Sequence, residues 1–314
     1  MIVWSIQFLD GFVMTKKPEK RKAKSGKELR WGVERRMEFI EFRLFWEGKI
    51  NRRDLIEKFG VSTPQASADL GKYQEAAPEN IHYDIRAKCY YPDKGFKPKF
   101  LDPDSDRYLA NLLSLSSGIM TEEESWLYSV PSYGVLPQPH RGIDPGRLRR
   151  VVGAIREKLA VQIRYQSMNA PEPEWRWITP HALAFDGYRW HVRAWCHRGE
   201  AFKDFVLARI VSIRLTKGHD LDPTEDVEWQ EFIDVRIGPH PKLTDTQRTA
   251  IELDYGMEDG ELVIPVRRGF LFYFLKRMGL DIDPNVRQPK HQQIVLLNQE
   301  EVEKAYSLSE EGHS

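Results

Sequence analysis

The chain has 314 residues, 41% hydrophobic and 11% aromatic, which suits two or three packed domains and excludes wholesale disorder. Two distant cysteines, Cys89 and Cys196, give no disulfide framework and suit a reducing cytoplasm, and no apolar run approaches the ~18 residues of a membrane span. The zero net charge hides an asymmetry: residues 1–100 hold 21 Lys and Arg against 14 Asp and Glu, while the remainder holds 26 against 33, so a polyanion partner is expected at the front only.

Residues 1–30 read as a disordered basic arm. Its first stretch, Met1–Val13, is apolar but lacks the basic leader and small-residue cleavage site of a signal peptide, and Met14 is an alternative start. Val33, Met37, Ile40, Leu44 and Phe45 then fall at helical spacing, closed by Gly48. Asn51 and Asp54 form a capping-box pattern ahead of Leu55, Ile56 and Phe59. Thr63 is the expected cap of a third helix, with Pro64 in its first turn and Ala66, Leu70 and Tyr73 on its buried side. Two strand-like runs, 81–85 and 89–91, flank a tight turn at Arg86-Ala87. This order predicts a winged helix-turn-helix over residues 31–100. A helical linker is expected over 101–160, with helices at 107–117, 122–128 and 147–160 and a Pro/Gly-rich loop between the last two. Short strands fill 161–219. From 220 to 314 an acidic linker (220–231) precedes strands at 231–237, 261–265 and 293–297 and helices at 244–254 and 269–278, a small α/β sandwich.

The helix-turn-helix has the physics of a duplex reader. Gly60 permits the sharp turn, Val61 plugs the angle between helices, and the first turn of the third helix is placed to enter a major groove. Thr63, Gln65 and Ser67 are the expected base readers, with Ala68 beside them; Gln suits adenine. Arg52, Arg53, Lys72, Arg86 and Lys88 are the expected phosphate contacts. A generic three-helix bundle with a solvated basic face is the alternative.

In the 161–219 segment, Ser167, His181, Arg193 and Arg209 recur inside strands that otherwise read as buried, and paired guanidiniums suit a phosphate. The runs Tyr165-Gln166-Ser167, Trp177-Ile178-Thr179-Pro180-His181, Gly187 to Ala194 and Phe205 to Ile210 resemble the WYL domain, a small SH3-like or Sm-like β-barrel. Trp190 stands where that family's triplet begins, while His191, at an outward-facing position, and Val192 replace its Tyr and Leu. The run 237–241 with Leu243, Gln247, 254–257 and 266–268 resembles the C-terminal WCX extension. The domain order is similar to that of the WYL transcriptional regulators of bacterial anti-phage defence islands, of the BrxR/CapW type. The resemblance implies an α+β multidomain fold: winged helix-turn-helix, central WYL barrel and a C-terminal α/β dimerisation domain over 220–314. It further implies a homodimeric repressor on a pseudo-palindromic double-stranded operator, released by a nucleic-acid fragment or nucleotide. Its ligand residues carry over onto Tyr165, Ser167, His181, Arg193 and Arg209.

Other readings stay open at this point. His181 suits a satisfied core position, Arg209 suits a salt bridge with Asp204 or Asp186, and Trp175, Trp177, Trp190 and Trp195 suit the core. A single-strand-binding accessory module of a nuclease or helicase also fits the basic and aromatic groups. Ser167 lacks a nucleophile-elbow pattern, His191, Cys196 and His197 lack a fourth zinc ligand and its spacing, and no Walker or dinucleotide glycine pattern is present. No catalytic residue, metal or cofactor is therefore expected, and the location expected is cytoplasmic.

Overall fold

In the computed structural model, residues 31–137, 139 and 141–311 are described. The expected basic arm, with both candidate starts, lies outside the described residues. The chain divides after Pro137 into two units.

In the first unit, α1 (Trp31–Glu47), α2 (Arg52–Phe59) and α3 (Thr63–Ala76) precede a hairpin of β1 (Ile81–Asp84) and β2 (Cys89–Pro92). Asn51 and Asp54 form the reciprocal capping box of α2. Gly60 ends that helix at φ +64°, the left-handed value the turn requires. The cap of α3 is Ser62, whose side chain accepts the Gln65 N–H, and not Thr63, which is already helical. Either hydroxyl satisfies the cap rule; the one that stays extended (φ −70°, ψ 157°) takes the role. Met37, Ile40, Leu44, Leu55, Leu70 and Tyr73 meet in one core. Ile50 pairs with Tyr90, fixing the hairpin to the helices. A buried carboxylate closes the unit: Glu41 on α1 accepts the backbone N–H groups of Lys99, Phe100 and Leu101 at 2.6–2.9 Å and the Tyr73 hydroxyl at 3.0 Å.

The expected linker is divided between the two units. Here α4 (Ser105–Ser116) and the segment to residue 129 pack on the far side of α1, with Tyr108 stacked on Trp46 and Leu112 and Leu127 against Phe42. The expected helix at 122–128 is a run of turns. One α-type bond forms, from the Ser125 N–H to the Thr121 carbonyl, and other N–H groups go to side chains: Glu124 N–H to Thr121 Oγ, Leu127 N–H to Ser125 Oγ, and Tyr128 N–H, with that of the following Ser129, to Glu47 Oε1. With those donors engaged, no helical ladder forms.

In the second unit, α5 (Pro145–Glu157) lies on a five-stranded antiparallel sheet of β3 (Leu159–Tyr165), β4 (Glu174–Phe185), β5 (Trp190–Cys196), β6 (Ala201–Val206) and β7 (Ile210–Gly218), in the order β6-β5-β4-β3-β7. Ile163, Ile178, Val192, Phe205, Ile213 and the α5 residues Val151 and Ala154 share one core, so the sheet curls about a single apolar centre. The β4–β5 register slips between Pro180 and Ala182, leaving His181 as the bulged residue. A bulge re-aims its side chain, and Pro180 sits where a missing donor is tolerated. The acidic stretch expected as a linker holds instead a 3-10 turn, Pro223–Glu225, and a short helix, α6 (Val227–Gln230). Last come β8 (Phe232–Pro239), α7 (Asp245–Tyr255), β9 (Leu262–Arg267), α8 (Leu271–Met278), β10 (Ile294–Leu296) and α9 (Gln299–Glu311), with strand order β10-β8-β9. Val235, Ile237, Ile251, Leu271, Ile294 and Val302 fill this second core.

Candidate nucleic-acid and ligand sites

The side chains expected to meet a duplex stand on α2, α3 and the hairpin turn. Arg52, Arg53, Thr63, Lys72, Arg86 and Lys88 are exposed, and Gln65 and Ser67 half-buried. Arg52 reaches across the turn to Ser67 Oγ at 3.4 Å, so α2 and the first turns of α3 present one surface. Arg53 pairs with Glu57 on its own helix at 2.6 Å, an exposed pair that a phosphate can replace at little cost. Gln65 donates one amide proton to Asp69 Oδ1 at 3.0 Å, while Arg36 holds the same buried carboxylate at 2.6 and 3.3 Å. Its amide oxygen and second proton stay available, and the tether fixes its rotamer. In the hairpin turn, Asp84 Oδ1 accepts the N–H groups of Arg86 and Ala87, and Lys88 adopts φ +54°. Ile85 at the tip is 80% exposed, flanked by those cations.

The five barrel residues do not gather in one pocket. Tyr165 lies in the barrel core, its ring edge-on to Phe205 and its hydroxyl accepting the Val206 N–H at 3.2 Å. Ser167 and Arg209 are half-buried at one end of the sheet, where the Arg209 carbonyl accepts the Gln166 N–H. His181 and Arg193 converge instead on Asp226. Arg193 is 1% exposed; its Nε and one terminal nitrogen bind the two Asp226 oxygens at 2.7 and 2.8 Å, and Glu228 accepts from it at 2.7 Å. Asp204 stands 3.6 Å from its other terminal nitrogen. His181 Nε2 is 2.8 Å from Asp226 Oδ2, with the ring held edge-on between Phe202 and Trp229. Asp226 also caps α6 through the Trp229 N–H. Burial pushes the Asp226 carboxyl up, but hydrogen bonds and charge from Arg193 and His181 outweigh it and hold the group at about 2. Burial likewise opposes the Arg193 charge, and its three carboxylates overcome it, raising that pKa further above the ordinary value.

The neighbouring network repeats the theme. Asp186 accepts from the Tyr188 and Arg189 N–H groups, from Arg189 Nε at 2.9 Å and from His191 Nε2 at 2.9 Å. Burial raises its pKa, these partners lower it, and it settles at about 2. His191 points off the barrel as expected, yet it is buried, because Tyr273 of α8 covers it with ring centres 5.2 Å apart.

Three family models match in chain order: the BrxR transcriptional regulator winged helix-turn-helix domain over residues 32–114, the WYL domain over 146–215, and the BrxR C-terminal dimerization domain over 232–302. The DNA-binding transcriptional repressor CapW of Stenotrophomonas maltophilia is 42% identical over 276 residues, 88% of this chain and 92% of the relative. The chain belongs to the CapW family. CapW of Escherichia coli (strain KTE188) is 38% identical over 293 residues, 93% of this chain and 97% of the relative, and CapW of Pseudomonas aeruginosa is 40% identical over 274, 87% and 91%. Among solved structures, proteasome accessory factor B/C of Arthrobacter aurescens aligns with 94% of this chain and 52% of its own at 16% identity and a TM-score of 0.24. Among the described residues no helix is long and apolar enough to cross a membrane, and no cluster of metal-ligating side chains is present.

In this CapW-family chain, Asp226 and Glu228 are the residues that sequence reasoning missed. The signal was an acidic run between two domains, which solvation explains as readily as pairing. Only the 33-residue return of the chain to Arg193 distinguishes the two. Of the carboxylates weighed for Arg209, Asp204 lies beside Arg193 and Asp186 holds Arg189 and His191.

Proposed function

We propose that the protein is a homodimeric, sequence-specific DNA-binding repressor of a phage-defence locus. It grips a pseudo-palindromic operator and is released by a nucleic-acid or nucleotide signal acting on the WYL barrel. The observation that carries the reading is the surface at the start of α3. There a Ser62-capped, Pro-started helix offers Thr63, Gln65 and Ser67 to a groove, with Arg52 beside them and Arg86 and Lys88 on the hairpin turn. A two-fold protein asks for a two-fold site, and the match to a dimerization domain over 232–302 supports that symmetry. Thr63, Gln65 and Ser67 read bases; Arg52, Arg53, Lys72, Arg86 and Lys88 hold phosphates. The effector is phosphate-bearing, and Ser167 and Arg209 are its accessible barrel contacts.

The test is a gel-shift salt series on the DNA upstream of this protein's own reading frame. Each phosphate contact contributes about 0.9 to the slope of log affinity against log salt. Arg86→Ala/Lys88→Ala is therefore expected to flatten the slope by about 2 while sequence preference is kept. A salt-independent shift, or equal affinity for single strands and for the duplex, refutes the reading. Ser167→Ala and Arg209→Ala are expected to bind operator normally and to resist release.

A further inference from the structure

We infer that the cleft between the β4–β5 turn and α8 binds a nucleotide phosphate, carried by a free mononucleotide or by the end of a short single strand. The inference rests on the reading that a phosphate-bearing signal acts on this chain, but it places the contact beyond Ser167 and Arg209. The cleft holds about 390 Å³, within the range of small-ligand sites. Four cations line it: Arg141, Arg189, Lys276 and Arg277. Its single carboxylate is Asp186, already engaged by Arg189, His191 and two backbone N–H groups. Arg141, Lys276 and Arg277 make no ion pair among the described residues. Three cations without an ion-pair partner around one concavity repel one another, and an anion placed between them relieves that repulsion.

The cleft is built for more than a bare anion. Tyr188 is 60% and Phe272 43% exposed, and Phe272 already stacks on Tyr306 at 6.3 Å, so Tyr188 is the freer ring for a base while guanidiniums take its phosphate bidentately. Lys276 lies 5.5 Å above the Phe272 ring, putting a charge next to one stacking surface. Arg277 is seated on the turn through Gly187, which has φ +92°; a Cβ there would stand 2.1 Å from the guanidinium nitrogen. A glycine therefore lets the barrel turn and the arginine of α8 approach this closely. Tyr273 lines the cleft and packs on His191 with ring centres 5.2 Å apart, and Asp186 and Arg189 line it as well, so a bound nucleotide meets the Asp186 network directly.

The experiment is calorimetric titration of the full-length protein with a nucleoside monophosphate, a short single-stranded oligonucleotide bearing a 5′ phosphate, and inorganic phosphate. At least one nucleotide probe is expected to bind at least tenfold more tightly than inorganic phosphate. Binding of the mononucleotide identifies a free-nucleotide source; binding of the oligonucleotide alone identifies a strand end. Lys276→Glu/Arg277→Glu is expected to weaken the nucleotide at least tenfold while melting temperature and operator affinity hold. The milder Lys276→Gln/Arg277→Gln pair repeats the measurement should charge reversal impair folding. The inference is overturned if no nucleotide binds or if both pairs bind like the parent. Loss of binding in Ser167→Ala/Arg209→Ala but not in the cleft variants also overturns it, and leaves the effector reading standing. Nucleotide bound at the cleft without operator release sinks the effector reading alone.

Discussion

Asp226→Ala tests the organisation of the second unit directly. The carboxylate is 1% exposed, binds Arg193 through two hydrogen bonds and His181 through a third, and caps α6. Removing one partner of a buried ion pair costs about 3–5 kcal/mol, because the other charge stays buried, and losing a helix cap costs about 1 kcal/mol. Glu228 and Asp204 remain to compensate Arg193, so the ion-pair loss falls short of that range, at about 2 kcal/mol, and the total with the cap is about 3 kcal/mol. For a unit of this size that is a fall of about 6–12 °C in melting temperature. The contribution has a defined pH window. Asp226 sits at about 2 in the folded chain against 3.8 unfolded, a depressed pKa, so its stabilisation is complete above pH 4 and is lost as pH falls toward 2. Lowered from 3.8 to about 2, the carboxyl contributes roughly 2 kcal/mol at neutral pH, and roughly half of that is gone by pH 3. Urea titrations of parent and variant at pH 7 and pH 3 measure both quantities. A difference below about 1 kcal/mol at pH 7, or one that does not narrow at pH 3, refutes the buried-cluster account.

Two further outcomes follow from other buried polar groups. Glu41→Ala strands three backbone N–H groups and the Tyr73 hydroxyl, at about 1–3 kcal/mol for each group left unsatisfied, so the winged-helix unit is expected to melt first while the second unit holds; Glu41→Gln, which keeps an acceptor, recovers part. Equal melting of parent and Glu41→Ala contradicts this. Thr179 Oγ lies between His197 Nε2 at 2.9 Å and His219 Nδ1 at 3.1 Å, and burial, with His219 and Lys217 nearby, lowers the His197 pKa. Its NMR titration is expected below 6.5, so this histidine costs stability as pH falls through its unfolded value; a midpoint at or above 6.5 removes the argument.

What the sequence disclosed, and what it concealed, follows the range of the forces. The Asn51–Asp54 box, the Gly60 stop and the Met37-Ile40-Leu44 stripe act within a turn or two, and each is legible from spacing alone. The same rules misplaced the α3 cap by one residue because Ser62 and Thr63 both qualify. They also promised a helix at 122–128, where Glu47, some eighty residues away, takes the N–H groups of Tyr128 and the following Ser129 instead. Arg193 and His181 were legible as polar groups in buried strands. Their partners were not, because Asp226 and Glu228 are joined to them only by the bulge at His181 and the return of α6 onto the barrel.

The saturation of Arg193 bears on how a signal enters this chain. A phosphate reaches that guanidinium only by displacing Asp226 and Glu228, two carboxylates already desolvated and within 2.8 Å. The exchange leaves Asp226 needing a new partner or a proton, so binding there is weakened by several kcal/mol unless Asp226 moves out to water. Asp226 caps α6, and α6 runs into β8, the central strand of the sheet in the segment matched as a dimerization domain. An effector at Arg193 therefore binds only as fast and as tightly as that helix detaches from the barrel, whereas one at Ser167 and Arg209 needs no such detachment. Turning a 99:1 equilibrium around takes about 5.5 kcal/mol of differential affinity, and displacing a buried bidentate pair consumes most of it. Asp226→Asn separates the two routes: it keeps one acceptor oxygen, lowers the cost of vacating Arg193, and should sensitise release to effector if Arg193 is the contact. Unchanged sensitivity in a folded Asp226→Asn chain assigns Arg193 to architecture alone.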